Sequence, residues 1–121
     1  MILVDTSVWV EHLRAGNGRL EQFLEAEQVL GHPFVAGEIA LGNLKQRALV
    51  LKSLRNLPTA DVASDDEVFD LIERRKLHGL GIGYVDAHLL ASTLLSEASL
   101  WTRDRRLHDA AERLGVAAAA S

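Results

Sequence analysis

Cysteine is absent from the chain, proline occurs twice, and aromatic residues make up only 5% of it. Without cysteine there is no disulfide and no thiolate metal site, which fits a reducing compartment. The shortage of aromatics argues against a single-strand nucleic-acid binder built on stacking platforms. Long apolar runs are also missing, and none approaches the ~18 residues of a membrane span. Met1 leads into three apolar residues and then Asp5, so neither the basic n-region nor the apolar h-region of a signal peptide is present. The expectation is a soluble cytoplasmic protein with no membrane partner. Positive charge is in deficit as well, the net charge being −4. Taken alone this argues against phosphate contacts, which need Lys and Arg. The objection weakens if the carboxylates share one site, because two bound divalent cations would cancel the excess.

What is present is 48% hydrophobic residues in 121. That suggests one domain over residues 1–121, burying roughly two-thirds of the unfolded chain's surface. The first seven residues set the pattern. Ile2-Leu3-Val4 reads as a buried strand that stops at Asp5, Thr6 and Ser7. Val8, Trp9, His12 and Leu13 then recur at helical spacing over 7–14, with Thr6 or Ser7 as the expected N-cap. An Asp at such a junction lies at the carboxyl edge of a sheet, where open α/β folds bind ligands.

Asn17-Gly18 breaks the first helix, and 18–26 gives a second, followed by a short strand at Val29-Leu30. Pro33 opens a stretch to residue 44 that is apolar nearly all round and therefore expected to be buried, with Glu38 its only charge. A further helix runs from Lys45 to Leu57 with basic residues and no acid, and Pro58 ends it. Residues 60–63 read as a weak strand. Ser64 with Glu67 forms a capping box that opens a helix to about Leu77. The loop Gly79-Leu80-Gly81-Ile82-Gly83 lacks the Lys-Ser/Thr of a nucleotide P-loop. A helix over 84–97, a strand over 99–102, a helix from Leu107 to Leu114 stopped by Gly115, and a last short strand at 116–119 complete the reading. Strands alternating with helices indicate an α/β sandwich around a mostly parallel sheet.

Four acids sit at comparable junctions: Asp5, Glu38, Asp86 and Asp104. Each has a plain structural explanation. Asp5, Asp86 and Asp104 can cap helices, and Glu38 can belong to a buried ion pair. If they converge within ~5 Å, each pair repels by ~3 kcal/mol at an effective dielectric of 20. Such a cluster must raise its pKa values or hold cations. Hard oxygen ligands point to Mg²⁺ or Mn²⁺, and that chemistry suits phosphodiester hydrolysis by metal-activated water. Thr6, Ser7 and Thr102 are placed to hydrogen-bond the carboxylates or the water.

Asp5-Thr6-Ser7 after an apolar strand, Glu38-Ile39 in an apolar helix, Asp86-Ala87 with Ala91 in a late helix and Thr102-Arg103-Asp104 after a strand together resemble the PIN-domain pattern. The size of the chain and the N-terminal position of the first motif resemble the VapC toxins of type II toxin–antitoxin systems. The resemblance implies a three-layer α/β/α sandwich and a Mg²⁺-dependent endoribonuclease acting on tRNA or other structured RNA. It implies Asp5, Glu38, Asp86 and Asp104 as catalytic metal ligands, a homodimer, and a small antitoxin protein as partner.

Arg103, Arg105 and Arg106 flank Asp104 and are candidate contacts to RNA phosphates. The basic segment 44–57 is a second candidate, against the plainer reading of a solvated face, and Arg74-Arg75-Lys76 reads as an ordinary helix C-terminus. His108 lies four residues after Asp104 and can face the site, whereas His88 falls off the face that carries Asp86. Trp9 and Trp101 read as core. Two alternatives stay open: a non-catalytic PIN-like RNA-binding or scaffold module, and a receiver-type signalling domain with Asp61 as its mid-chain acid. The receiver reading lacks the acidic pair after the first strand, and a haloacid-dehalogenase phosphatase would need an acid where Ser7 stands.

Overall fold

The structure is a computed structural model, and it describes residues 1–119. Its frame is a three-stranded parallel sheet in the order β2-β1-β3, with β1 at Ile2–Val4, β2 at Val29–Leu30 and β3 at Ser99–Trp101. Ile2 and Leu3 pair with Val29 and Leu30 on one side, and Ile2, Leu3 and Val4 with Ser99, Leu100 and Trp101 on the other. A central parallel strand is covered on both faces, which is why β1 is a continuous apolar run rather than an alternating one. Leu3 and Val4 are completely buried.

Seven helices among the described residues flank the sheet and make the three-layer α/β/α sandwich: α1 (Thr6–Ala15), α2 (Gly18–Glu25), α3 (Pro33–Ala40), α4 (Arg47–Arg55), α5 (Asp65–Arg75), α6 (Tyr84–Leu95) and α7 (Arg105–Arg113). Helix α1 packs on α3 and α3 on α4, α5 packs on α6, and both α6 and α7 lie against β3. The core gathers Leu3, Val8, Leu20, Leu89, Leu90, Leu100 and Leu107, with Trp101 edge-on to Phe23. Both tryptophans are core residues, as expected.

Several boundaries differ from the sequence reading, each for a local reason. Asp5, not Thr6 or Ser7, is the N-cap of α1, because its carboxylate accepts the Ser7 N–H. The apolar stretch after Pro33 is helical only to Ala40 and is not buried all round. Only Val35 and Ile39 face the core, while Leu41 is 90% exposed and Glu38 is exposed. The premise that Glu38 is a buried acid therefore falls. Its helix lies in the outer layer and needs just one apolar stripe. Helix α4 starts two residues late, at Arg47, after Gln46 in the left-handed region. Residues 60–63 form no strand: the ladder reaches Thr59 only, through a single bridge to Gly31. The expected last strand is likewise a single bridge, Ala117 to Leu100. Both segments carry small residues that add little cross-strand packing. Helix α7 begins at Arg105, two residues early, because Asp104 caps it. The capping box at Ser64–Glu67 is present in both its hydrogen bonds.

Candidate active site at the carboxyl edge of the sheet

Parallel strands end together, so the residues after β1 and β3 share one edge. Asp5 and Thr102 meet there across 97 positions of sequence, with Thr102 Oγ1 donating to Asp5 Oδ2 at 2.8 Å. Ser7 Oγ donates to the same oxygen at 2.7 Å, and the Ser7 N–H reaches it at 3.4 Å. Each hydroxyl has one proton, and each spends it on Asp5. Both then accept from the chain after β3: Ser7 Oγ from the Arg103 N–H at 2.9 Å, and Thr102 Oγ1 from the Asp104 N–H at 3.0 Å. With its proton already donated, neither hydroxyl has one left for the other, so their 3.2 Å approach is a contact between two oxygens rather than a bond. The network pins the Asp104 loop onto β1 and fixes one oxygen of buried Asp5. Among the described residues, Asp5 Oδ1 takes no hydrogen bond.

The other acids are held in the same one-sided way. Thr6 Oγ1 donates to Glu38 Oε1 at 2.7 Å. The Gly83 N–H donates to Asp86 Oδ2 at 3.2 Å, at the start of α6. The Leu107 N–H donates to Asp104 Oδ1 at 3.1 Å, the N-cap bond of α7. Among the described residues each of these carboxylates takes a hydrogen bond on one oxygen only. Asp86 is half-buried rather than fully on the core stripe. Its carboxyl is raised above the ordinary range, first by burial and then by the negative charges of Asp5, Asp104 and Glu38, with the Gly83 N–H pulling the other way. The four acids are thus electrostatic neighbours.

They do not form a closed cage: among the described residues no three His, Asp or Glu side chains stand close enough to hold one ion together. The long-range repulsion on Asp86 and the missing cage are compatible, since charges interact beyond ligand distance. An all-oxygen set with one free oxygen per carboxylate fits Mg²⁺, which keeps several waters and takes one or two carboxylates rather than a full protein shell. The fit is to an open edge. Hollows of about 280 Å³ between α5 and α6 and about 520 Å³ between α3 and α4 are lined by none of these four acids. An exposed ledge suits a polymer better than an enclosed small molecule.

Of the three candidate arginines, Arg103 is engaged, its Nε 3.2 Å from Glu11 Oε2. Arg105 and Arg106 are exposed and make no ion pair among the described residues. His108 turns away from Asp104 to Glu112, at 2.8 Å, so it does not face the site. On the basic segment, Arg47 bonds to the Ala40 carbonyl. Asp61 is exposed in a loop rather than at a strand end, which removes the receiver reading's acid.

The matching model for this chain is that of the PIN domain, over residues 2–113. The chain belongs to the PIN-domain family. This PIN domain is 52% identical over 120 residues to two proteins named Ribonuclease VapC32, from Mycobacterium tuberculosis strains CDC 1551 / Oshkosh and H37Rv, covering 98% of this chain and 97% of each of them. That places it with the VapC type. Among the solved structures that share its fold are two of similar extent. One is PAE2754 from Pyrobaculum aerophilum, with a TM-score of 0.60, 20% identity, and coverage of 89% of this chain and 77% of that one. The other is FitAB bound to an IR36 DNA fragment, with a TM-score of 0.61, 24% identity, and coverage of 93% and 91%.

Sequence reading of this PIN domain missed the hydrogen bonds of two buried histidines, which have no periodic signature. His32 caps α3, its Nδ1 accepting the Phe34 N–H at 3.0 Å, so its Nε2 carries the proton toward Ser92 Oγ, also at 3.0 Å. His88 is buried and bonds Asp65 at 3.0 Å, and Tyr84 donates to the same oxygen at 2.7 Å. Burial, and then the neighbouring His88, push His32 down to about 4. The unfolded chain therefore binds a proton there that the folded chain refuses, and stability falls as pH drops from about 6.5 toward 4. Melting followed against pH should show a steeper acid loss for wild type than for His32→Asn, which keeps a capping oxygen but cannot titrate. Parallel curves would remove His32 from the account.

Proposed function

We propose that this PIN domain is a divalent-metal-dependent endoribonuclease acting as the toxin of a toxin–antitoxin pair in the cytoplasm. The observation that carries the reading is the one-sided fixing of Asp5, Glu38, Asp86 and Asp104, each by one oxygen, around an open edge. Asp5 and Asp86 would hold Mg²⁺ or Mn²⁺, with Glu38 and Asp104 close enough to bind or orient its waters. Bound there, the ion supplies a water of lowered pKa and stabilises the leaving oxygen. The chain's own part is to orient and to exclude error. Thr102 and Ser7 lock the Asp5 rotamer, Thr6 aims Glu38, and the Gly83 N–H holds Asp86 at the first turn of α6. The raised pKa of Asp86 means that its full charge develops only above the ordinary carboxylate range or when a cation compensates it.

The name of the 52% identical relatives supports the ribonuclease reading. Structured RNA, tRNA included, is the proposed substrate class. The toxin role brings a small antitoxin protein, for which exposed Leu41 and Leu49 beside basic Lys45, Arg47 and Lys52 offer an apolar and positive surface. It also brings a homodimer, for which exposed Phe34, Phe69 and Tyr84 offer an apolar one. The second reading, a non-catalytic RNA-binding or scaffold module, is disfavoured by the presence of all four acids. The deciding experiment incubates purified protein with total RNA in Mg²⁺, in Mn²⁺ and in EDTA. Discrete cleavage products with either metal and none in EDTA are expected. Intact RNA throughout, in the presence of bound RNA, would favour the binding module.

A further inference from the structure

The loop that leads into α6 holds an arginine against a glycine. Gly81 sits at φ +78, and a methyl group built on it would lie 2.8 Å from both Cδ and Nη1 of Arg106 and 3.2 Å from Cζ. The Arg106 side chain therefore lies across the bare Cα of Gly81. Arg106 belongs to the first turn of α7, two residues after Asp104, and Gly81 stands two residues before Gly83, whose N–H holds Asp86. Arg106 thus joins the first turn of α7 to the loop that leads into α6, the two helices whose starts carry Asp104 and Asp86.

Its partners are informative. An arginine placed to neutralise four neighbouring carboxylates would pair with one of them, yet among the described residues Arg106 makes no ion pair and remains exposed. Arg103, one residue before Asp104, is tied to Glu11 instead. Resting on backbone, Arg106 keeps its donors available. A planar fork of fixed geometry suits the paired oxygens of a phosphate. Packing against Gly81 removes part of the rotamer entropy that a free surface arginine would lose on binding.

Building on the proposed ribonuclease site, we infer that Arg106, seated on Gly81, is the residue that anchors an RNA phosphate beside the carboxylates. Arg103 does not have this role. Gly81 serves it in two ways: it adopts the left-handed backbone and leaves the space in which the guanidinium lies.

The test is equilibrium binding of a fluorescein-labelled structured RNA, a stem-loop with a single-stranded loop, to the full chain, in Ca²⁺ to suppress cleavage, over a series of salt concentrations. Arg106→Ala and Arg106→Gln should weaken binding roughly tenfold and flatten the slope of log K against log salt by ~0.7–0.9, the loss of one phosphate contact. Arg106→Lys should keep the slope and lose part of the affinity. Arg103→Ala should keep the slope. Gly81→Ala, which displaces the guanidinium, should resemble Arg106→Ala, and the Arg106 variants stand alone if it fails to fold. An unchanged slope in Arg106→Ala overturns the inference, whatever happens to affinity, because a residue that only shapes the 79–83 loop would not remove a counterion-releasing contact. Failure of the wild type to bind RNA overturns it as well. If wild type binds with the expected slope difference but cleaves nothing in Mg²⁺, the enzymatic reading fails and the assignment of Arg106 stands.

Discussion

Replacing Asp86 by Asn is expected to lower RNA cleavage by roughly 10³-fold or more, about 4 kcal/mol on the barrier, while the protein stays folded. The fold should survive because Asn retains an oxygen for the Gly83 N–H that holds the first turn of α6. The substitution also removes a charge that burial and three neighbouring acids oppose. In metal-free buffer the variant should therefore melt at or above the wild-type temperature. Adding Mg²⁺ or Mn²⁺ should raise the melting temperature of wild type and leave the variant's unchanged, because only an ion bound to the native state stabilises it. The pH dependence follows from the same shift. The folded-state pKa of Asp86 lies above its unfolded value, so in that window the native state binds more protons than the unfolded one. Metal-free stability then falls as pH rises through the window. Cleavage should run the opposite way, rising as Asp86 ionises. A fully active Asp86→Asn enzyme, or a metal shift equal in both proteins, would remove Asp86 from the site.

The second large effect is expected at the hydroxyl pair. Ser7→Ala with Thr102→Val leaves Asp5 Oδ2 with only the long Ser7 N–H, at 3.4 Å, and takes the acceptors from the Arg103 and Asp104 N–H groups. Each lost hydroxyl strips a hydrogen bond from a buried charged group, worth about 1–3 kcal/mol. Each should also cost about 10–100-fold in metal affinity or activity, as removal of groups that orient ligands does. Both act on one oxygen, so the double-mutant cycle should show strong coupling rather than addition. Thr102→Ser keeps the hydroxyl and should sit near wild type. Additive losses, or a Thr102→Ser as poor as Thr102→Val, would mean that packing rather than hydrogen bonding is what matters there.

The parts of this molecule that depend on local pattern are legible in its sequence. Ile2-Leu3-Val4 reads as a central strand because a strand covered on both faces tolerates no polar alternation, and Asp5 marks its edge because the run stops there. The capping box of α5 reads directly from Ser64 and Glu67. Glu38 misleads. Its apolar helix suggests burial, but Ala36, Gly37 and Ala40 reflect small size rather than core position, and the exposure of Leu41 is decided by the outer layer in which α3 lies. What the sequence leaves hidden is pairing between distant residues. Glu11 takes Arg103 out of contention, Gly81 seats Arg106, and His88 joins Tyr84 on Asp65. None of these has a spacing to betray it, because each joins elements brought together only by the tertiary fold.

The most direct measurement is a calorimetric titration of Mn²⁺ into the wild-type protein and into the Asp5→Asn/Asp86→Asn double variant. Saturable, stoichiometric binding to wild type is expected, lost in the double variant while its circular dichroism stays native. Equal binding by the two folded proteins would contradict the assignment of the ion to these carboxylates, and the same holds if folded wild type binds no metal with or without RNA.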